Sequence, residues 1–147
     1  MKILELYSGC KSYESVFRDL GFSFVSYDLE SFNVLDYPLE SNLFDIVFIN
    51  INNKSSTMLD DIDIGCMDLG QQYIEYYNPK YFIILDNTLG IEEDIIMWGL
   101  PFKVIKQFRA GAIVNTRVWN NIFRWKPRFS DTYILPKTIL YELLGCV

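Results

Sequence analysis

Histidine is absent from the chain. That excludes His-based general acid and base catalysis, Ser-His triads and most transition-metal sites. Cysteine is scarce and scattered. Cys10, Cys66 and Cys146 form neither an even disulfide framework nor a zinc spacing, and they read as reduced thiols of an intracellular protein. Long apolar runs are missing too. None reaches membrane-spanning length, and Lys2 is followed at once by a short strand-like run, so neither a membrane anchor nor a secretory leader is expected.

What is present is a core. Half of the 147 residues are hydrophobic and 16% are aromatic, enough for one folded domain over residues 1–147 and too apolar for disorder. Charge is unevenly spread within a net of −6. Residues 1–100 hold five basic and 17 acidic side chains, whereas residues 101–130 hold seven basic ones and no acid. Trp119, Phe123, Trp125 and Phe129 interleave with those cations. A basic, aromatic flank on an acidic body is a candidate face for DNA or RNA, with Arg117, Arg124 and Arg128 as phosphate contacts. The alternative is a set of solvated edge strands whose Lys and Arg protect the edge.

Strand-like and helix-like runs alternate. Met1–Tyr7, Phe22–Tyr27, Asp45–Ile49 and Tyr81–Leu85 read as buried parallel strands. Tyr13–Leu20 has helical spacing at Val16, Phe17 and Leu20, and Gly21 follows as a stop. Asp61–Tyr77 reads as a long helix ended by Asn78-Pro79, and Glu92–Gly99 as a short one. Phe102–Phe108 and Arg117–Phe123 read as two further strands, and Pro136–Leu144 as a closing helix with Pro in its first turn. The pattern predicts a three-layer α/β/α domain with a mostly parallel sheet. In such sheets ligands bind beyond the carboxyl ends of the strands.

The first strand end, Tyr7-Ser8-Gly9-Cys10-Lys11-Ser12, is a glycine turn that opens a helix. Gly9 lets backbone approach a ligand. The second strand ends in Asp28-Leu29-Glu30, where a carboxylate can accept ribose hydroxyls. Together they make a nucleoside-cofactor constellation, without the three-glycine dinucleotide fingerprint.

Leu4-Glu5-Leu6-Tyr7-Ser8-Gly9-Cys10-Lys11-Ser12 resembles the S-adenosylmethionine loop of DNA cytosine-5 methyltransferases, in particular the short phage and viral kind. Asn78-Pro79-Lys80-Tyr81-Phe82-Ile83-Ile84-Leu85-Asp86-Asn87 is similar to that family's acid-Asn-Pro strand end. Gly99-Leu100-Pro101, Thr116-Arg117-Val118-Trp119-Asn120-Asn121 and Leu135–Leu144 follow in the family's order, so the likeness spans nearly the whole chain. The resemblance implies a Rossmann-like methyltransferase fold. It also implies S-adenosylmethionine held by Tyr7, Ser8, Gly9, Cys10, Ser12, Asp28, Leu29, Asn33, Val34 and Asn50. Asp86 stands where the family's glutamate meets the base, and Arg117 falls near its late, base-binding arginine. A single methyltransferase-like domain without the family's target recognition domain is expected. Its abundance of Asn, Ile, Tyr and Asp fits an AT-rich viral or phage genome.

The likeness breaks at the third strand end. The family places Pro-Pro-Cys there, and the thiolate attacks the cytosine ring. Here the matching residues are Ile51, Asn52 and Asn53, and an amide cannot form that adduct. Amino-directed methyltransferases place Asn/Asp-Pro-Pro-aromatic at the same point, of which only Asn50 remains. The expectation is a degenerate methyltransferase-like protein that keeps the cofactor pocket and works through nucleic acid, a protein partner or a homodimer. The alternative is an active enzyme on nitrogen or oxygen, with Asn50 and Asp86 as its polar groups and positioning as its means.

Overall fold

Runs of Ile, Leu, Val and Phe without polar alternation form strands that are buried on both faces. Six strands build one sheet in the structure, a computed structural model that describes residues 1–6, 13–27, 43–51, 72–86, 102–109, 111–128 and 130–147. They are β1 (Lys2–Leu6), β2 (Ser23–Tyr27), β3 (Ile46–Ile51), β4 (Tyr81–Asp86), β5 (Phe102–Arg109) and β6 (Ala112–Asn120). β1, β3 and β4 are of this apolar kind, and the other three strands are more polar. Three helical stretches are described: α1 (Glu14–Asp19), α2 (72–77) and α3 (Pro136–Leu144).

The sheet order is β2-β1-β3-β4-β6-β5. β2, β1, β3 and β4 pair in parallel, while β6 runs antiparallel to both β4 and β5. The domain is α/β with a mixed, mostly parallel sheet. From β1 the chain first adds β2 on one side and then β3 on the other, so the strand order reverses at the β1–β3 boundary.

Helices cover both faces. Ile3, Ile46, Phe48, Ile83, Leu85 and Val118 pack against Val16 and Phe17 of α1 and against Ile139, Leu140 and Leu143 of α3. On the opposite face Leu4, Leu6, Val47, Ile49, Ile84 and Trp119 meet Tyr73 and Tyr77 of α2. The period-two alternation of each strand thus feeds two cores.

Local chemistry sets the helix ends. Gly21, at φ 76°, takes the left-handed conformation after α1. Its N–H donates to Arg18 O at 3.0 Å, and the N–H of Phe22 donates to Phe17 O at 2.9 Å, the two bonds of a Schellman stop. Pro136 opens α3 at the position where a missing N–H costs nothing.

The hairpin at the end of the sheet differs from the sequence expectation. β6 begins at Ala112 rather than Arg117 and ends at Asn120 rather than Phe123. The early start follows from Gly111, whose φ of 79° closes a tight turn and lets Ala112 pair with Arg109. The early end follows from two asparagines. Asn120 Oδ1 accepts the N–H of Ile122 at 2.9 Å, and Asn121 Oδ1 accepts the N–H of Phe82 at 2.9 Å. Side-chain amides take over the backbone's hydrogen bonds and turn the chain out of the sheet. Of the long helix expected over Asp61–Tyr77, residues 72–77 are helical and the rest lies outside the described residues, as does Glu92–Gly99.

Tyr73 is fully buried, and its hydroxyl has no hydrogen-bond partner among the described residues. Burial disfavours the phenolate and pushes its pKa up from 10.0 to about 12. The stability that this confers is complete below the unfolded value of 10.0 and is lost as pH rises through about 12. Tyr73→Phe removes the titrating group, so its denaturant unfolding measured across that window is expected to show a shallower alkaline loss than the parent. An identical pH profile for the two proteins would assign the alkaline sensitivity to other groups.

Candidate functional site

Parallel pairing brings the carboxyl ends of β2, β1, β3 and β4 to one edge of the sheet. Leu6 is level with Tyr27 on one side and Ile49 on the other, so β3 extends two residues beyond β1. In a doubly wound sheet the reversal of order parts the two connections at that point and leaves a crevice between them. Tyr7, Ser8, Gly9, Cys10, Ser12, Asp28, Leu29, Asn33, Val34 and Asn53 lie outside the described residues. The described strand ends Leu6, Tyr27 and Ile51 flank their segments in the chain.

Asn50 is the predicted residue whose surroundings are best defined. It lies near the end of β3, level with Leu85, and is 5% exposed. Its side-chain oxygen has no hydrogen-bond partner among the described residues. A buried carbonyl without a donor costs about 1–3 kcal/mol. Such a cost is tolerated where a ligand or ordered water supplies the donor.

Asp86 and Arg117 come together. They are direct partners in the β4–β6 register, and Asp86 is also level with Ile51 of β3. Ile51, Asp86 and Arg117 therefore form one row across three strands at the carboxyl edge. Arg117 is 2% exposed, because β6 is an interior strand between β4 and β5. Its guanidinium belongs to the sheet rather than to the outer surface, and the solvated-edge alternative does not describe it. Burying such a cation demands compensating polar groups.

Arg124 and Arg128 are not part of that row. Arg124 is exposed beyond the end of β6, at the other edge of the sheet. Arg128 donates to Glu142 Oε1 of α3 at 2.5 Å in an exposed ion pair. The three arginines grouped by sequence occupy three separate environments.

Glu5 was missed by functional-residue reasoning. It is fully buried in β1, and its Oε2 accepts the hydroxyl of Ser26 on β2 at 2.5 Å. Strand alternation puts Glu5, Phe48 and Asn50 on the same face of the sheet, the one that carries α1 and α3. The available signal was an acid inside the apolar run Ile3-Leu4-Glu5-Leu6, where a solvent-facing residue has no place.

Among the described residues no three Cys, Asp or Glu side chains converge to hold a metal. Cys146 is a free, half-buried thiol near the end of α3. No family model matches the chain, and no curated protein matches it.

If Asn50 faces a ligand rather than supporting the fold, an apolar side chain of similar size is tolerated there. Asn50→Leu is expected to leave thermal stability unchanged or to raise it by about 1 kcal/mol, since it deletes a buried acceptor that has no donor among the described residues. A loss of more than about 2 kcal/mol in the same melts would show that the amide holds the structure together.

Proposed function

We propose that this chain is a degenerate relative of the cytosine-5 methyltransferases, with a Rossmann-like fold and a retained S-adenosylmethionine pocket, and that it acts by binding rather than by chemistry. The observation that carries the reading is the buried oxygen of Asn50, which has no hydrogen-bond partner among the described residues and lies beside the β1–β3 reversal of strand order. A donor-bearing ligand in that crevice would satisfy it. The segment after β1 supplies Gly9 and the segment after β2 supplies Asp28, the residue types that a nucleoside and its ribose require. S-adenosylmethionine, when bound, would supply an electrophilic methyl group. The residue at the position of the family's nucleophile is Asn53, which cannot attack a cytosine ring.

Asn50 also favours a second reading, an active methyltransferase on nitrogen or oxygen. A buried amide oxygen can accept a hydrogen bond from a target amine and hold its lone pair in line. The two readings share the pocket and differ in turnover.

Calorimetric titration with S-adenosylmethionine and S-adenosylhomocysteine tests the pocket. Binding in the micromolar range is expected, about −8 kcal/mol. Gly9→Val is expected to abolish it, because a branched side chain fills space the ligand needs. Equal affinity in a folded Gly9→Val protein would remove the pocket assignment. Methyl transfer to DNA, RNA or protein by the binding-competent protein would replace the first reading with the second.

A further inference from the structure

The opposite edge of the sheet carries a second kind of surface. There β6 leaves the sheet beside the start of β4, with Asn120 level with Ile83 and Trp119 level with Phe102 of β5. The departing chain is pinned on both sides. Asn121 Oδ1 accepts the N–H of Phe82, and its Nδ2 donates to Lys80 O at 3.0 Å. Trp125 is buried, and its carbonyl accepts Lys103 Nζ at 2.5 Å while that ammonium lies 5.4 Å from the indole centroid. The N–H of Trp125 donates to Ile122 O at 3.2 Å and closes the turn.

At the tip of this pinned turn Phe123 is 92% exposed. Packing does not explain it, since both anchors of the turn are other residues. Arg124 and Lys126 beside it are exposed and make no hydrogen bond or ion pair among the described residues. Lys80 is exposed on the neighbouring strand entry, tethered to the turn through Asn121. Arg124 and Lys126 thus have no charged partner among the described residues, whereas the Lys80 ammonium lies over the Tyr81 ring at 5.2 Å and Arg128 is paired with Glu142.

We infer that this turn is a docking site for single-stranded nucleic acid, with Phe123 stacking on a base and Lys80, Arg124 and Lys126 contacting phosphates. An aromatic ring held proud of the surface reaches the face of an unpaired base, whereas duplex bases are already stacked. Base stacking needs only one ring per base. Membrane docking scales with buried apolar area, and a single phenyl ring supplies little of it. The chain's net charge of −6 does not oppose the contact, because distant acids are screened beyond about 8 Å at physiological salt. The site is independent of the cofactor reading, since it occupies the other edge of the sheet.

Fluorescence anisotropy with a short labelled oligothymidine tests it, in the absence of any nucleoside. Binding is expected at low salt, with log K falling by about 2 per tenfold rise in salt for three phosphate contacts. Phe123→Ala is expected to weaken binding by about fivefold or more. Arg124→Ala with Lys126→Ala is expected to flatten the salt slope, and Arg128→Ala to leave affinity unchanged. All four side chains are exposed, so the variants keep the fold. No binding at low salt, equal affinity for duplex, or wild-type affinity in Phe123→Ala would overturn the inference. So would binding to phosphatidylserine vesicles without binding to the oligonucleotide.

Discussion

β1 hydrogen-bonds in parallel to β2 on one side and to β3 on the other, and the rest of the molecule is arranged around that double pairing. A strand paired on both sides and covered on both faces must be apolar nearly throughout, and Ile3, Leu4 and Leu6 are each at most 1% exposed. The exception, Glu5, is tolerated because Ser26 on β2 donates to it. With β1 between β2 and β3, the strand order reverses at the β1–β3 boundary, the position at which doubly wound sheets bind their ligands.

The two edges of the sheet consequently differ in chemistry. Near the carboxyl edge Asn50 is buried on the face that carries α1 and α3, while the buried Arg117, one register position further along and level with Asp86, belongs to the opposite face. Such a place suits recognition of a small polar ligand, because electrostatic interactions are stronger away from water. The amino edge instead presents Phe123 and exposed cations at the surface, where contacts are screened, reversible and suited to a flexible polyanion.

Much of the fold was legible because the core strands are continuous apolar runs, a pattern that few other structures tolerate. Gly21 and Pro136 marked helix boundaries for local reasons that hold without tertiary context. The hairpin was less legible. Whether β6 inserts between β4 and β5 or lies at the outside depends on long-range pairing, and Arg117 read as a phosphate contact or an edge charge because a lone arginine in a strand ordinarily faces solvent. Insertion buried it. The same long-range choice separated Arg117 from Arg124, seven positions apart in sequence and at opposite edges of the sheet. Asn50 was legible as a site residue from its place at a strand end. The lack of a partner for its oxygen among the described residues was not, because satisfaction of a buried amide depends on the neighbouring strands. Glu5 lay inside a motif read for its backbone turn, so its buried carboxylate went unnoticed.

The central claim is that the crevice beside β1 and β3 still holds a nucleoside cofactor. A crystal structure of the protein grown with S-adenosylhomocysteine tests this most directly. The account predicts ligand density at the carboxyl ends of β1, β2 and β3, with a ligand donor within hydrogen-bond distance of Asn50 Oδ1 and the ribose beside Asp28. An empty crevice at saturating ligand, or density at another face of the sheet, would contradict it.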